Sequence, residues 1–138
     1  GKPTFTIGEN EMYFGIGAHG EKGVKKTGLL SADETAEILV GAVVEDLPFG
    51  SKDEANLIVN GYGSTTLMEL YIINRKVHEI LCRLGVRIHR TEVGSFLTTQ
   101  EMAGCSVTLM RVDDELKELC DAPACTPAFV RCETISRG

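Results

Sequence analysis

An α/β fold is predicted by three observations along the chain. Short segments in which apolar residues alternate or form runs predict β-strands. Longer segments between them repeat apolar residues every three or four positions, which is typical of helices packed on a sheet. Glycine, proline and helix-capping residues separate the two kinds of segment. The predicted order is strand, helix, strand, long helix, strand, short helix, strand and helix.

The first strand is predicted near the start of the chain. An extended arm or entering strand over 5–8 comes first, and apolar residues then alternate over Met12–Ile16. Glycine within a strand marks a close approach of a backbone or a ligand, and Gly15 and Gly17 lie on its second face. The strand therefore delivers His19 to a site just beyond its carboxyl end.

His19 is the candidate functional residue of the glycine-rich segment 15–23. Glycine has no Cβ, so another molecule can approach the backbone closely. A neutral imidazole carries a free lone pair, which suits a nucleophile, a general base or a metal ligand. From these residues alone, a solvated or hydrogen-bonded loop histidine is the more frequent alternative.

The first helix is predicted from Ala32 to Glu45. Ser31 and Glu34 have the spacing of a capping box, and the helix is expected to stop before Pro48. Acidic residues in its first turns are explained by the helix dipole.

A buried strand over Ala55–Asn60 is followed by a glycine turn and a long helix from about Thr66 to Leu84. Free amides at such a helix start favour an anion, and the alternative is a tight connection capped by Ser64 or Thr65. Gly85 is expected to end the helix. The core stripe of the helix comprises Leu70, Ile73, Val77, Ile80, Leu81 and Leu84.

The first half of the long helix, Leu67–Ile73, is apolar on nearly every side. A helix that faces water on one side carries polar residues there. We therefore expect another domain or a second subunit to cover this half.

The last third of the chain alternates between shorter elements. The helix opened by Asp113 is expected to turn Leu116, Leu119 and Cys120 inward. The other predicted elements are a half-exposed strand over Val86–Val93, a short helix ending at Ala103 and capped by Thr98 or Thr99, a strand over Ser106–Val112, and a final strand over Ala128–Val130.

Charge and hydropathy limit the kinds of partner that we expect for this chain. The 138 residues include 14 basic and 20 acidic side chains, a net charge of −6, which argues against a nucleic-acid-binding surface. No apolar run reaches the ~20 residues of a membrane span. Lys22, Lys25 and Lys26 are expected to form a solvated loop tip, with an acidic partner or a phosphate as the alternative. The start at Gly1–Pro3 shows no leader and no initiator methionine, so nothing in the sequence indicates secretion.

The five cysteines include no C-x-x-C pair, so no metal site is predicted from them. Cys82 and Cys105 are expected to be small buried apolar residues. Reduced thiols are typical of a cytoplasmic protein. His78 and His89 have no ligand-like neighbours and are expected at the surface.

Short motifs occur in a fixed order over nearly the whole chain. They are Gly1–Phe5, Glu9–Glu21, Val59–Gly63, Leu67–Tyr71, Glu101–Gly104, Thr108–Met110, Val112–Glu115, Asp121–Pro123 and Thr126–Ala128. Together they resemble the substrate-binding subunit of dihydroxyacetone kinases, and only the C-terminal of its two domains. We therefore expect residues 1–138 to be that C-terminal domain, without the N-terminal domain.

The resemblance implies a two-layer domain with a mixed β-sheet and helices packed mainly on one face. It also implies that His19 holds dihydroxyacetone as a covalent hemiaminal, with Gly17 and Gly20 as further substrate-binding residues. The ketose is then phosphorylated to dihydroxyacetone phosphate. This domain is expected to bind no cofactor, because ATP in a fused domain, or an ADP-bearing partner subunit fed by a phosphocarrier, supplies the phosphoryl group.

The same resemblance implies a homodimer and contacts with the N-terminal domain, which holds most of the acid/base residues. The fragment alone is therefore expected to be inactive. Lys22 stands where the family's His-Gly-Glu-Pro-Gly pattern has proline, which leaves the loop freer. Two alternatives follow: a ketose-binding regulatory paralogue without phosphoryl transfer, and a structural domain whose His19 is idle.

Overall fold

The computed structural model describes residues 5–17, 19, 21–99 and 102–132. Three helices and seven strands lie within these residues. In chain order they are β1 (Glu11–Phe14), β2 (Lys25–Gly28), α1 (Ala32–Asp46), β3 (Glu54–Gly61), α2 (Leu67–Arg83), β4 (Arg87–Gly94), β5 (Cys105–Val112), α3 (Asp114–Asp121), β6 (Ala124–Cys125) and β7 (Val130–Arg131).

The central sheet is mixed. Its strand order is β4-β3-β5, with β4 parallel and β5 antiparallel to β3. The parallel pair is joined through α2, because parallel strands need a crossover connection. The predicted α/β class and the mixed sheet are confirmed.

The core lies between this sheet and helices α1 and α2. Alternate residues of β3, Ala55, Leu57 and Val59, are fully buried. Because successive side chains of a strand point to opposite faces, these three share one face. They form a single cluster with the following residues of the two helices: Ala36, Val40, Leu70, Ile73, Val77 and Leu81. The two helices therefore cover the same face of the sheet, as the resemblance implied.

Both long helices begin with a capping box. Ser31 caps α1 together with Glu34, as predicted. The cap of α2 is Thr66 with Glu69, so the prediction of Ser64 or Thr65 is wrong. The Thr65 hydroxyl is instead engaged at 2.9 Å with the backbone of Gly104, a partner that is distant in the sequence.

The first half of α2 leaves an apolar face exposed. Its members are Leu67, Met68, Tyr71 and Ile72. That another domain or subunit covers this face stays a prediction. At the other end, Gly85 has a φ of +74° and ends the helix as expected. Leu84 and Cys82, both predicted to be buried, are exposed.

The segment Lys25–Gly28 is a strand, so the prediction of a loop for Lys25 and Lys26 is wrong. It pairs antiparallel with β1, with Phe14 opposite Lys25 and Tyr13 opposite Lys26. The Lys26 ammonium lies 5.3 Å from the centre of the Tyr13 ring. Backbone pairing, rather than an apolar pattern, makes this strand.

The predicted short helix is absent from the described residues 95–99 and 102–104, which form a loop. The Thr99 hydroxyl does accept a hydrogen bond from Met102 N at 3.2 Å, as a cap would. Thr99 N, however, donates to Tyr62 O at 2.9 Å, which ties the segment to the end of β3 instead.

The last helix, α3, is opened by Asp113 as predicted, with Asp113 as its cap, but none of its residues is buried. Leu116 and Leu119 are exposed, and Cys120 is half-buried, so the expected inward face is wrong. The final strand was predicted over Ala128–Val130. The structure has two short antiparallel strands in this region, β6 and β7, and β7 contains Val130 but begins two residues later than predicted.

Ion pairs attach α3 to the sheet. Lys117 contacts Glu54 at the start of β3, and Arg90 of β4 donates to Asp121 at 2.6 Å. The hydrogen bond from Arg90 is the main reason that the pKa of the Asp121 carboxyl group lies below its ordinary value. Charged contacts thus replace apolar burial for this helix.

Candidate functional site

His19 lies in the loop between β1 and β2, which we call the tip loop (15–24). The loop closes where Val24 N donates to Phe14 O at 2.8 Å and Gly17 N donates to Glu21 O at 3.2 Å. The sequence pattern predicted this position beyond the end of a strand. It did not predict that a second strand would return and make the site a hairpin tip.

Three described positions in the tip loop leave no room for a side chain, and one of them is Gly23, where a Cβ would lie 2.7 Å from Phe14 O. Gly15 has a φ of +75°, and a Cβ there would lie 2.7 Å from a methyl carbon of Val24. A Cβ on Gly17 would overlap the Glu21 carboxylate and lie 2.6 Å from the Glu21 Cβ. The absence of these side chains lets the loop fold tightly beneath His19. Gly20, the other predicted substrate-binding glycine, lies outside the described residues.

The imidazole of His19 is open to solvent, with 91% of the side chain exposed. The backbone N–H of His19 donates to Glu21 Oε2 at 3.0 Å, and Nδ1 lies 3.8 Å from Glu21 Oε1. One side of the ring therefore faces a carboxylate, and the rest is free to meet another molecule.

The other two histidines are engaged. His78 Nε2 lies 3.0 Å from the Thr91 hydroxyl, and burial lowers the pKa of its imidazole. His89 Nε2 lies 2.9 Å from Asp121 Oδ2. Both were expected at the surface. His89 is exposed, as expected, whereas His78 is half-buried. Of the three histidines, His19 presents the most accessible ring.

Side chains of β1 hold the hairpin below the tip loop. The Tyr13 hydroxyl donates to Gly23 O at 3.1 Å, and the Phe5 ring packs edge-on against Tyr13 at 5.8 Å. Leu30 N donates to the Met12 sulfur at 3.3 Å, which links β1 to the start of α1. The exposed tip loop thus extends from a hairpin that these contacts hold in place.

A second polar centre, which sequence reasoning did not single out, lies at the carboxyl end of β3. Asn60 is 5% exposed, and its Oδ1 accepts from Phe96 N and Leu97 N at 2.8 and 2.9 Å. Its Nδ2 donates to Leu97 O at 2.9 Å. Asn60 therefore fastens the loop after β4. An asparagine that ends an apolar strand before a glycine turn is the one sequence feature that points to it.

The anion site considered at the start of α2 is already satisfied within the chain. The Thr66 hydroxyl accepts from Glu69 N at 3.3 Å, and the Glu69 carboxylate accepts from Thr66 N at 2.8 Å. The latter bond is the main cause of a lowered pKa of Glu69. Because a negative charge lies at this helix start, the tight-connection interpretation is favoured over a phosphate site.

The described residues contain no group of three or more His, Cys, Asp or Glu side chains suited to a metal ion. Within them, no helix has both the length and the apolar character needed to cross a bilayer.

Comparison with known proteins decides the family. The model of the Dak1 domain matches residues 1–128. The chain belongs to the Dak1 family. The Dak1 resemblance agrees with the motifs in the sequence, and the predicted kinship with dihydroxyacetone-binding subunits is confirmed.

Two curated relatives of this Dak1 domain are named for short ketoses. The dihydroxyacetone-binding subunit DhaK of PTS-dependent dihydroxyacetone kinase 2 from Listeria innocua is 42% identical over 94% of this chain and 39% of its own length. The L-erythrulose kinase of Pectobacterium atrosepticum is 37% identical over 92% of this chain and 22% of its own. This chain therefore spans well under half the length of either relative.

A solved structure of a different kind also shares the Dak1 fold. The dihydroxyacetone kinase operon co-activator Dha-DhaQ superposes with a TM-score of 0.78 and 33% identity, over 88% of this chain and 38% of its own. The Dak1 family thus includes kinase subunits, and its fold also occurs in a protein named as an operon co-activator.

Proposed function

We propose that this chain is the substrate-binding part of a dihydroxyacetone kinase and that His19 captures the ketone of dihydroxyacetone as a covalent hemiaminal. The observation that carries the proposal is the His19 imidazole, 91% exposed on a tip loop that requires glycine. The kinship with a dihydroxyacetone-binding subunit supplies the substrate class.

The chemistry follows from the residue types. A neutral imidazole nitrogen attacks the carbonyl carbon, which becomes tetrahedral and bears a hydroxyl group. Glycerol has no carbonyl, so it is rejected by chemistry rather than by shape. Gly17 would contact the ketose through its Cα or carbonyl oxygen, because its amide already donates to Glu21 O. Gly20 is proposed as a further contact of the same kind.

An exposed tip needs a second surface to enclose a small ketose. We propose that this surface belongs to a preceding domain of the same cytoplasmic, homodimeric protein, which also supplies acid/base residues. The phosphoryl group would come from a partner subunit or a fused ATP domain, since this domain is proposed to hold no cofactor. Erythrulose is a second substrate candidate, because a relative is named for it.

Carbon-13 NMR with dihydroxyacetone labelled at its carbonyl tests the capture. We expect a new tetrahedral-carbon signal from the complete natural protein and none with labelled glycerol. The same measurement on residues 1–138 shows whether the tip loop suffices without its neighbours. The absence of a signal from both proteins would contradict the proposal.

A ketose-binding co-activator without phosphoryl transfer is the second candidate. It is favoured by the likeness to Dha-DhaQ and by Lys22 in place of the usual proline. Assaying dihydroxyacetone phosphate in the presence of the nucleotide-bearing partner separates the two. Product formation supports the kinase, and capture without product supports the co-activator.

Replacing Gly17 by alanine is expected to weaken capture about tenfold, because the new methyl group displaces Glu21 and with it the ring of His19. Gly41→Ala is the matched control, since a Cβ at this exposed position of α1 meets no atom within 4 Å. The control should leave capture unchanged and raise the free energy of unfolding by about 0.5–1 kcal/mol. Equal capture by both variants would show that the space beneath Glu21 is unimportant.

A further inference from the structure

We propose that Glu21 is a positioning residue that holds the His19 imidazole in the form that attacks a ketone, an inference that rests on the proposed function. Glu21 Oε2 accepts the backbone N–H of His19 at 3.0 Å, and Oε1 lies 3.8 Å from His19 Nδ1. One carboxylate therefore faces both the backbone and the ring of the same residue.

The backbone of the tip loop keeps this carboxylate in place. Gly17 N donates to Glu21 O at 3.2 Å, which brings the two ends of the turn around His19 together. The Glu21 side chain then occupies the space that a Cβ on Gly17 would fill. The arrangement of Glu21 and His19 is thus built into the loop, although both side chains are exposed, Glu21 by 62%.

The carboxylate favours a proton on the ring nitrogen that it faces. A carboxylate only accepts hydrogen bonds, and a neutral imidazole has one donor and one acceptor nitrogen. Because Nδ1 faces Glu21, the proton is favoured on Nδ1. The lone pair is then left on Nε2, on the side of the ring that is open to an incoming ketone.

The capture step uses both ring nitrogens. The Nε2 lone pair forms a bond to the carbonyl carbon, and the electron pair of the C=O π bond moves to the oxygen, which takes a proton from water. The ring carries a positive charge beside Glu21 until Nδ1 returns a proton to the hydroxide left behind. Glu21 favours the attacking tautomer before the bond forms and offsets the positive charge afterwards.

Glu21→Gln separates this role from a purely structural one. The amide oxygen of glutamine still accepts the His19 N–H, so the loop is retained, but the negative charge is lost. We expect ketose capture to weaken about three- to fivefold, the upper part of the range for an exposed ion pair. Nitrogen-15 NMR of the ring should show less proton on Nδ1 and more on Nε2. Glu45→Gln, an exposed change on α1, is the control.

The outcomes distinguish this inference from the function on which it rests. If the wild-type protein captures the ketone and Glu21→Gln matches it in both capture and tautomer, the role of Glu21 is overturned and the role of His19 stands. If the wild-type protein captures nothing, the proposed roles of Glu21 and of His19 are both contradicted. A change of the same size in Glu45→Gln would also overturn the inference, because the effect would then be one of overall charge.

Discussion

His19→Ala is expected to remove the tetrahedral-carbon signal of bound dihydroxyacetone, a loss of at least about a hundredfold in capture. Alanine offers no lone pair, so the bond between the imidazole nitrogen and the carbonyl carbon cannot form. Carbon-13 NMR with the labelled ketone measures the loss directly. Because the His19 side chain is 91% exposed, its removal should leave the free energy of unfolding within about 0.5 kcal/mol of the wild type.

His78→Ala is the matched control for that experiment. His78 lies on α2, where its ring meets the Thr91 hydroxyl rather than open solvent. This variant should keep the signal, even if the lost contact lowers its stability. Retention of the signal in His19→Ala, or its loss in both folded variants, would contradict capture by His19 and favour the alternative of a structural domain whose His19 is idle.

Asn60→Ala is expected to lower the free energy of unfolding by about 2–3 kcal/mol. The variant loses three hydrogen bonds and leaves the amides of Phe96 and Leu97 without their acceptor. Urea denaturation measures the total effect, and hydrogen exchange at these two amides measures the local one. Exchange should accelerate there first, because the loop after β4 is released before the sheet opens.

Asn56→Ala tests whether the effect belongs to the hydrogen bonds of Asn60. Asn56 lies on the same face of β3, two pleats earlier, and its buried Oδ1 has no hydrogen-bond partner among the described residues. Its replacement should therefore change the free energy of unfolding by less than about 1 kcal/mol. Equal losses in the two variants would mean that the stability comes from packing on this face and not from the hydrogen bonds between Asn60 and the loop after β4.

Features that depend on neighbours in sequence were predictable. The capping box of Ser31 and Glu34 joins residues three apart, and the buried stripe of α2 follows from its helical period. His19 could be located for the same reason, since alternation over the first strand and the glycines after it are local patterns. The order of motifs was sufficient to infer the family, which the Dak1 match confirmed.

Features that depend on long-range pairing were not predictable. Lys25–Gly28 has no apolar alternation and becomes a strand only because β1 offers backbone partners. The cap of α2 was misplaced because the Thr65 hydroxyl is engaged by Gly104, 39 residues away. The segment before β5 carries capping residues for a helix, but its amides and carbonyls are used by Tyr62 and Ser64 instead.

The sequence by itself determined the α/β class, the two long helices, the family and the position of His19 beyond a strand. Only the tertiary structure decided the strand order, the pairing of β2 with β1, the hydrogen bonds from Asn60 to the loop after β4, and the approach of Glu21 to the imidazole. The physical reason is the range of the interactions. Periodicity and capping act within one or two turns of the chain, whereas hydrogen bonds and close approaches between distant segments depend on how the whole chain is packed.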